Sequence, residues 1–403
     1  MRLSAFLAIL VVGCALFGSS IGMRESHAQW EDVAPIIRGQ DRVATNFGRQ
    51  PDFAPQQNYV NQPPVVYFDQ DPSTAIMAAP PGATPAQTMA GYGATSSVLY
   101  PCGMGSSQYI GGFGEFLYLH PRGADVAFGV PQDGTGLGGV PVGEVGTASI
   151  GYTPAFRAGG FFTIGDDALV ELTYSHFDSQ STTNISTTAP NVINPLTLFP
   201  GTFNAGFTAE AATAEYGINF QLIDADYMVM ACNCDQFWLG YLVGARYAEL
   251  GQEFTATYPF AAPDGTTTLN TNIDFTGAGM RFGILGERVL FQNTGLRFYG
   301  TGVANLLVGK FDASYTQTNQ FNGLEAAASI SETRIVPVVD LELGIAWLGP
   351  KGHFRLSAGY MVSAWFNAVT TPEWIASVQN RTFSPGSDVL TFDGLTARAQ
   401  LAF

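Results

Sequence analysis

The sequence predicts an all-β protein: a transmembrane antiparallel up-and-down β-barrel of about ten strands, with twelve as the alternative count, preceded by a disordered N-terminal tail. Three observations carry this. From Tyr109 onward apolar residues recur at every second position in long runs, the connections between runs alternate in length, and the chain stops on an aromatic residue at the end of such a run.

Met1-Arg2 and the apolar stretch Leu3 to Phe17 have the basic start and short hydrophobic run of a signal peptide. The stretch is too short to span a bilayer comfortably. Ser26-His27-Ala28 places small residues ahead of Gln29-Trp30, so residues 1–28 are expected to be removed. Val11-Val12-Gly13-Cys14 has the form of a lipoprotein site acylated at Cys14, but the apolar run continues past it through Leu16 and Phe17. Either reading exports the chain. Residues 29–100 are rich in Pro, Gln, Asn and Ala, as in Pro51-Asp52-Phe53-Ala54-Pro55, and have no apolar period. Such a composition cannot bury enough surface to offset its ordering entropy, so this stretch is read as a tail and 101–403 as the barrel.

Composition supports that division. Only 12% of residues are charged against about 25% in ordinary soluble domains, while 13% are aromatic. No later segment offers the roughly 20 apolar residues of a membrane helix. A net charge of −16 argues against nucleic-acid partners, whose phosphates would be repelled. Outer-membrane lipids and the barrel-assembly machinery are the partners this reading implies.

The strands are expected near 110–119, 153–164, 168–178, 207–222, 237–256, 270–285, 294–316, 331–348, 353–368 and 388–403. Val170, Leu172 and Tyr174 alternate with Glu171, Thr173 and Ser175; Ala212, Ala214, Tyr216, Ile218 and Phe220 alternate with Thr213, Glu215, Gly217, Asn219 and Gln221. Many runs reach the roughly 10 residues a tilted strand needs to cross hydrocarbon. Long connections are expected after the first, third, fifth, seventh and ninth strands, with tight turns such as Gly349-Pro350-Lys351-Gly352 between the others, which is the outer-membrane pattern. If Ala124 to Ile150 also crosses, the count becomes twelve.

With the polar face inward, Arg157, Arg246, Arg281, Arg297, Arg355 and Arg398 meet Glu115, Glu171, Glu215, Asp340 and Glu342 in the lumen. One reading fills a small barrel with ion pairs; the other leaves a narrow passage beside inward glycines such as Gly159, Gly244 and Gly359. Trp347, Tyr118 and Tyr174 are expected in interfacial girdles. At the C-terminus Leu395, Ala397, Ala399, Leu401 and Phe403 share one face, and Leu395, Leu401 and the terminal Phe403 resemble the signal read by barrel-assembly machinery. Cys102, Cys232 and Cys234 are expected on the periplasmic side, where oxidising conditions favour a disulfide from Cys102 to one of the other two. His120, His176 and His353 stand in no metal or nucleophile motif, and adjacent Ser175 and His176 point to opposite faces. No metal, cofactor or catalytic residue is expected.

Gly114-Glu115-Phe116-Leu117-Tyr118-Leu119-His120-Pro121-Arg122, Gly244-Ala245-Arg246-Tyr247-Ala248, Gly359-Tyr360 with Trp365-Phe366-Asn367, and Phe392-Asp393-Gly394-Leu395 resemble the Legionella-type pore-forming major outer membrane protein family, especially planctomycete versions. The resemblance spans roughly residues 109–403 and implies an outer-membrane pore without catalytic residues. Two functions follow: a diffusion pore for small polar solutes or ions, or a structural or adhesive barrel plugged by ion pairs. If it conducts, cation preference is expected from a mouth carrying Asp125, Asp133, Glu144, Asp178, Glu253, Asp264, Glu325, Glu373 and Asp388 against Arg122 and Arg381.

Overall fold

The computed structural model describes residues 110–403 apart from 135–138, 165–167, 203–208, 235, 261–264, 292–293 and 351. The signal peptide, the tail, Cys102 and Asp264 lie outside the described residues.

In chain order the elements are β1 (Ile110–Arg122), β2 (Val126–Asp133), β3 (Val140–Pro141), β4 (Gly146–Ala148), β5 (Thr153–Ile164), β6 (Ala168–Ser186), β7 (Asn191–Pro195), β8 (Ala211–Cys234), β9 (Phe237–Pro259), β10 (Thr266–Val289), β11 (Leu296–Asn319), β12 (Gly323–Leu348), β13 (Phe354–Ala368), helix α1 (Thr371–Gln379) and β14 (Asp388–Ala402). Ten strands close a barrel in the order β1-β14-β13-β12-β11-β10-β9-β8-β6-β5. Every neighbouring pair is antiparallel, and β1 joins the ends by pairing with both β14 and β5. The stretch from Ala124 to Ile150 does not cross. It supplies β2, β3 and β4, which form a separate four-stranded sheet with β7, so the count is ten.

The wall is uneven. β1, β5, β13 and β14 have 12 to 15 residues, whereas β8 to β12 have 23 to 26. A crossing needs only about 9–11. The long connections expected after the fifth and seventh strands are therefore absent: residues 257–259 and 266–269 prolong β9 and β10, and 317–319 and 323–330 prolong β11 and β12. Burial there alternates, with Thr267 and Leu269 buried and Thr266 and Thr268 less so, as suits a strand whose outer face meets water. The acidic mouth residues Asp178, Glu253 and Glu325 accordingly lie on strands β6, β9 and β12 instead of in loops.

The side each residue faces holds along the whole of β8 and β9, with even-numbered residues inward, but the polarity of the two faces exchanges partway along the tall strands. In the turn-end half of β8, Ile223 and Tyr227 are exposed outside while Asp224 and Asp226 are buried inside. In its loop-end half the apolar set is the buried one, Ala212, Ala214, Tyr216, Ile218, Phe220 and Leu222, and Glu215 and Gln221 are exposed. β9 behaves alike, with Tyr241, Val243 and Tyr247 outside but Leu250, Phe254 and Tyr258 inside. The solvent changes on both faces at once. One half meets an apolar exterior and a polar lumen; the other meets water outside and packed loops inside. Glu215 thus faces outward and does not belong to the lumen, because the alternation of residues 212–221 sits above the level of the exchange.

The outward belt of the turn-end half includes Phe116, Leu172, Ile223, Met280, Phe282, Ile284, Leu306, Leu343, Ile345 and Leu395. Tyr118, Tyr174, Tyr247 and Tyr360 rim it toward the loop end and Tyr227, Tyr241 and Trp347 toward the turn end. Leu401 and Phe403 are also exposed at the turn end. No helix of the described residues is long and apolar enough to cross a membrane.

Candidate functional site

The lumen is stratified into three layers. Nearest the turn end, Phe113, Phe161, Leu169, Met228, Leu242, Val303 and Ala402 form an apolar cluster, with Met230 and Leu285 packed against it. At the loop end a larger cluster joins wall residues, including Tyr216, Phe220, Phe254, Phe275, Phe311, Tyr315 and Trp365, to loop residues Phe128, Ile193, Leu198, Trp374, Ile375 and Val378. Between them lies a charged layer.

That layer holds every lumen arginine expected from the sequence, and it pairs all six. Arg246 of β9 donates from Nε and Nη2 to Asp224 at 2.7 and 2.9 Å and from Nη1 to Asp340 at 2.8 Å. Arg281 pairs with Asp224 and, through Nε at 3.1 Å, with Asp226. Arg157 donates to both oxygens of Glu115 at 3.3 Å and lies 3.6 Å from Glu342. Arg355 donates to Glu287 at 2.6 Å, Arg297 stands 3.6 Å from the other oxygen of Glu287, and Arg398 donates to Glu171 at 3.2 Å. Neutral donors complete the shell: Ser363 to Asp340 at 2.6 Å, Asn305 to Asp340 at 3.0 Å and Tyr299 to Glu342 at 2.6 Å.

Glu115, Glu171, Asp340 and Glu342 thus stand where the alternation puts them, while Asp224, Asp226 and Glu287 were missed. For Asp224 and Asp226 the signal lay in the adjacent pair Leu222-Ile223, where the apolar phase changes sides. Reading β8 as ending at 222 hid it. Glu287 lies beyond the expected end of its strand. Six guanidiniums therefore meet seven carboxyl groups among the described residues. Each ion would be costly alone at this depth; pairing with added hydrogen bonds makes its burial tolerable.

The charged layer borders a cavity of about 140 Å³ whose lining includes Arg157, Glu171, Asp226, Arg281 and Glu287 together with the apolar Met228, Trp238 and Leu242. Glycine makes room for part of the lining. A Cβ on Gly244 would run into the Asp226 carboxylate. Arg398 also lies over the Phe113 ring, its Cζ 3.4 Å from the centroid, coupling the charged layer to the apolar one beneath.

At the loop end, polar side chains of the wall grip the backbone of the inserted loops. Gln252 donates to Val369 O at 2.8 Å and accepts from Thr371 N at 3.1 Å. Gln317 accepts from Phe199 N at 2.9 Å, and the Tyr258 and Tyr315 hydroxyls donate to Phe128 O and Thr197 O. Gln379, on α1, donates to Leu196 O and Leu198 O. Such bonds satisfy loop carbonyls that water cannot reach.

The remaining candidates separate. Ser175 is buried and accepts from Arg157 Nε at 3.3 Å, whereas His176 stacks with Tyr174 on the other face of β6. His120 lies against Tyr152 on the outside of β1 and His353 is at the turn end beside Ala402 O, so the three histidines do not converge. Cys232 is exposed at the turn end of β8, and Cys234 ends that strand.

The family model described as the Legionella pneumophila major outer membrane protein precursor matches residues 112–402. No curated protein matches the chain. Among solved structures, the chain is similar to the outer membrane protease OmpT from Escherichia coli, at 10% identity over 73% of this chain and 97% of that one, with a TM-score of 0.41. A Pseudomonas aeruginosa FadL homologue matches at 9% identity over 73% and 90% of the two chains, with a TM-score of 0.23. The outer membrane channel DcaP of Acinetobacter baumannii matches at 9% identity over 74% and 97%, with a TM-score of 0.15. The family match takes in all ten barrel strands, and with it the chain belongs to the Legionella major outer membrane protein family and is a β-barrel of the bacterial outer membrane.

Proposed function

We propose that the barrel is a narrow, gated pore for small polar solutes or ions, with a preference for cations. One observation carries this reading: a layer of arginines and carboxylates crosses the lumen at the depth of the apolar belt and borders a cavity. Lipid-facing residues cannot explain charge there, and intramembrane ionisable residues commonly mark solute or proton pathways. The chain's net charge of −16 attracts cations. Apolar packing on both sides of the layer makes this a closed state, so conduction requires a displacement at each end.

The same two apolar clusters favour a second reading, a structural or adhesive barrel whose lumen stays plugged. Purified protein in a planar bilayer separates the two. A pore gives discrete conductance steps and a reversal potential of cation-selective sign, weakening as salt shortens the Debye length from roughly 10 Å at 0.1 M. Anion selectivity would remove the charge argument, and absence of steps at all voltages would leave the plugged barrel.

A further inference from the structure

Helix α1 lies inside the loop end of the lumen with Trp374, Ile375 and Val378 buried, and the chain reaches it through buried Ala368, Val369 and Thr370. It leaves through an exposed stretch that includes Arg381 and Phe383. Among the described residues, non-glycine positive φ angles occur at three positions: Asn367 at 61°, Arg381 at 58° and Phe383 at 50°. All three bracket this one helix. At Arg381 the left-handed backbone is the ordinary close of a helix, with Arg381 N–H bonded to Val378 O and Thr382 N–H to Ser377 O; it is less common at Asn367 and an outlier at Phe383, where it persists only if the surroundings impose it. The β13–β14 register also breaks at Phe366/Ala368, just before the helix.

The seat of the helix is imperfect as well. Among the described residues Thr370 Oγ1 and Trp374 Nε1 are buried without a hydrogen-bond partner, and Thr370 makes no side-chain cap at the helix N-terminus. The helix is held by few polar contacts: Gln252 at its start, Gln379 toward Leu196 and Leu198 at its end, and the Arg381 guanidinium over the Phe199 ring. The left-handed backbones of Asn367 and Phe383 and the unsatisfied polar groups in the seat disfavour the docked state, while apolar burial favours it.

We propose that α1 is a detachable plug that undocks as a unit about hinges at Asn367 and at Arg381–Phe383, opening the extracellular end of the lumen. This rests on the pore reading for its purpose but not for its motion. Undocking would expose Thr370 and Trp374 to water and let Asn367 and Phe383 relax, while Arg381 keeps the helix's own C-terminal bonds.

The test uses the full chain in lipid vesicles with Ser377→Cys, a conservative change on the buried face of α1, labelled by a membrane-impermeant maleimide added from the loop side. The parent chain without that change is the control. Labelling is expected at a rate set by local opening. It should fall on the order of tenfold or more when a second variant, which adds Gln252→Cys and Thr371→Cys, is bridged by a short bifunctional thiol reagent. Phe383→Gly, which accepts the left-handed backbone without strain, should slow labelling roughly fivefold by stabilising the docked state. A folded, heat-modifiable Ser377→Cys protein that stays unlabelled would overturn the proposal, as would labelling that bridging leaves unchanged. Labelling requires no conductance, so a vesicle that labels as expected yet never conducts rejects the pore and keeps the moving helix.

Discussion

Asp224 on β8 and Arg246 on β9 face each other across adjacent strands and share two hydrogen bonds, 2.7 Å from Nε and 2.9 Å from Nη2. Both side chains are almost fully buried, and the third Arg246 nitrogen reaches Asp340 across the lumen. One guanidinium therefore bridges two lumen carboxylates, Asp224, which Arg281 also pairs, and the partly exposed Asp340.

Removing that guanidinium should be severe. Arg246→Met is expected to lose about 3–5 kcal/mol, the usual cost of leaving a buried partner uncompensated. Urea unfolding in vesicles, followed by tryptophan fluorescence, measures it; an unchanged midpoint would mean that Asp224 and Asp340 do not depend on Arg246.

The change of surroundings along one outer face makes a positional prediction within one strand. Phe282 and Asn272 lie on the same outer face of β10, ten residues apart. Phe282→Arg should cost about 2–4 kcal/mol by placing charge in hydrocarbon. Asn272→Arg, on the water-exposed wall, should stay within about 0.5 kcal/mol. Equal effects in the same unfolding assay would contradict the assigned depth of the belt.

Cys232 is exposed at the turn end of β8, the side from which β1 starts. A disulfide from Cys102 to Cys232 or Cys234 is the proposal that fits an oxidising periplasm. Non-reducing peptide mapping should recover the bridged peptides, whereas three alkylated thiols would remove the idea.

The tail reading has its own test. Deleting residues 29–97 should leave a heat-modifiable barrel with the parent's gel shift. Loss of the shift would make the tail part of the fold.

Strand number, strand order and most lumen charges were legible because a period of two is a local property of the chain. The six arginines fall on the polar face of runs whose other face is apolar, and that face is the lumen. What could not be read by continuing one alternation was where it changes sides. Glu215 and Asp224 are both acidic but nine positions apart on a regular strand, so one faces water outside and the other the lumen, because what surrounds each face differs at the two depths. The adjacent apolar pairs Leu222-Ile223 and Ile335-Val336 mark such changes, but they look like ordinary strand noise until the wall height is known. Helix α1 was hidden for another reason: nine residues give too short a helical period, and their burial depends on a lumen that other strands build.

The tall strands also bear on how the barrel reaches its final pairing. Sliding β8 by one residue would send Asp224 and Asp226 into hydrocarbon and Ile223 and Tyr227 into the charged layer. The same slip would turn Tyr216 and Ile218 out to water and Glu215 into the aromatic packing. A single-residue error is thus penalised independently at two depths. Each tall hairpin behaves like a key cut on both edges: a template that accepted a mismatch in one half would still reject it in the other, so correct alignment can be proofread by the strand itself during insertion.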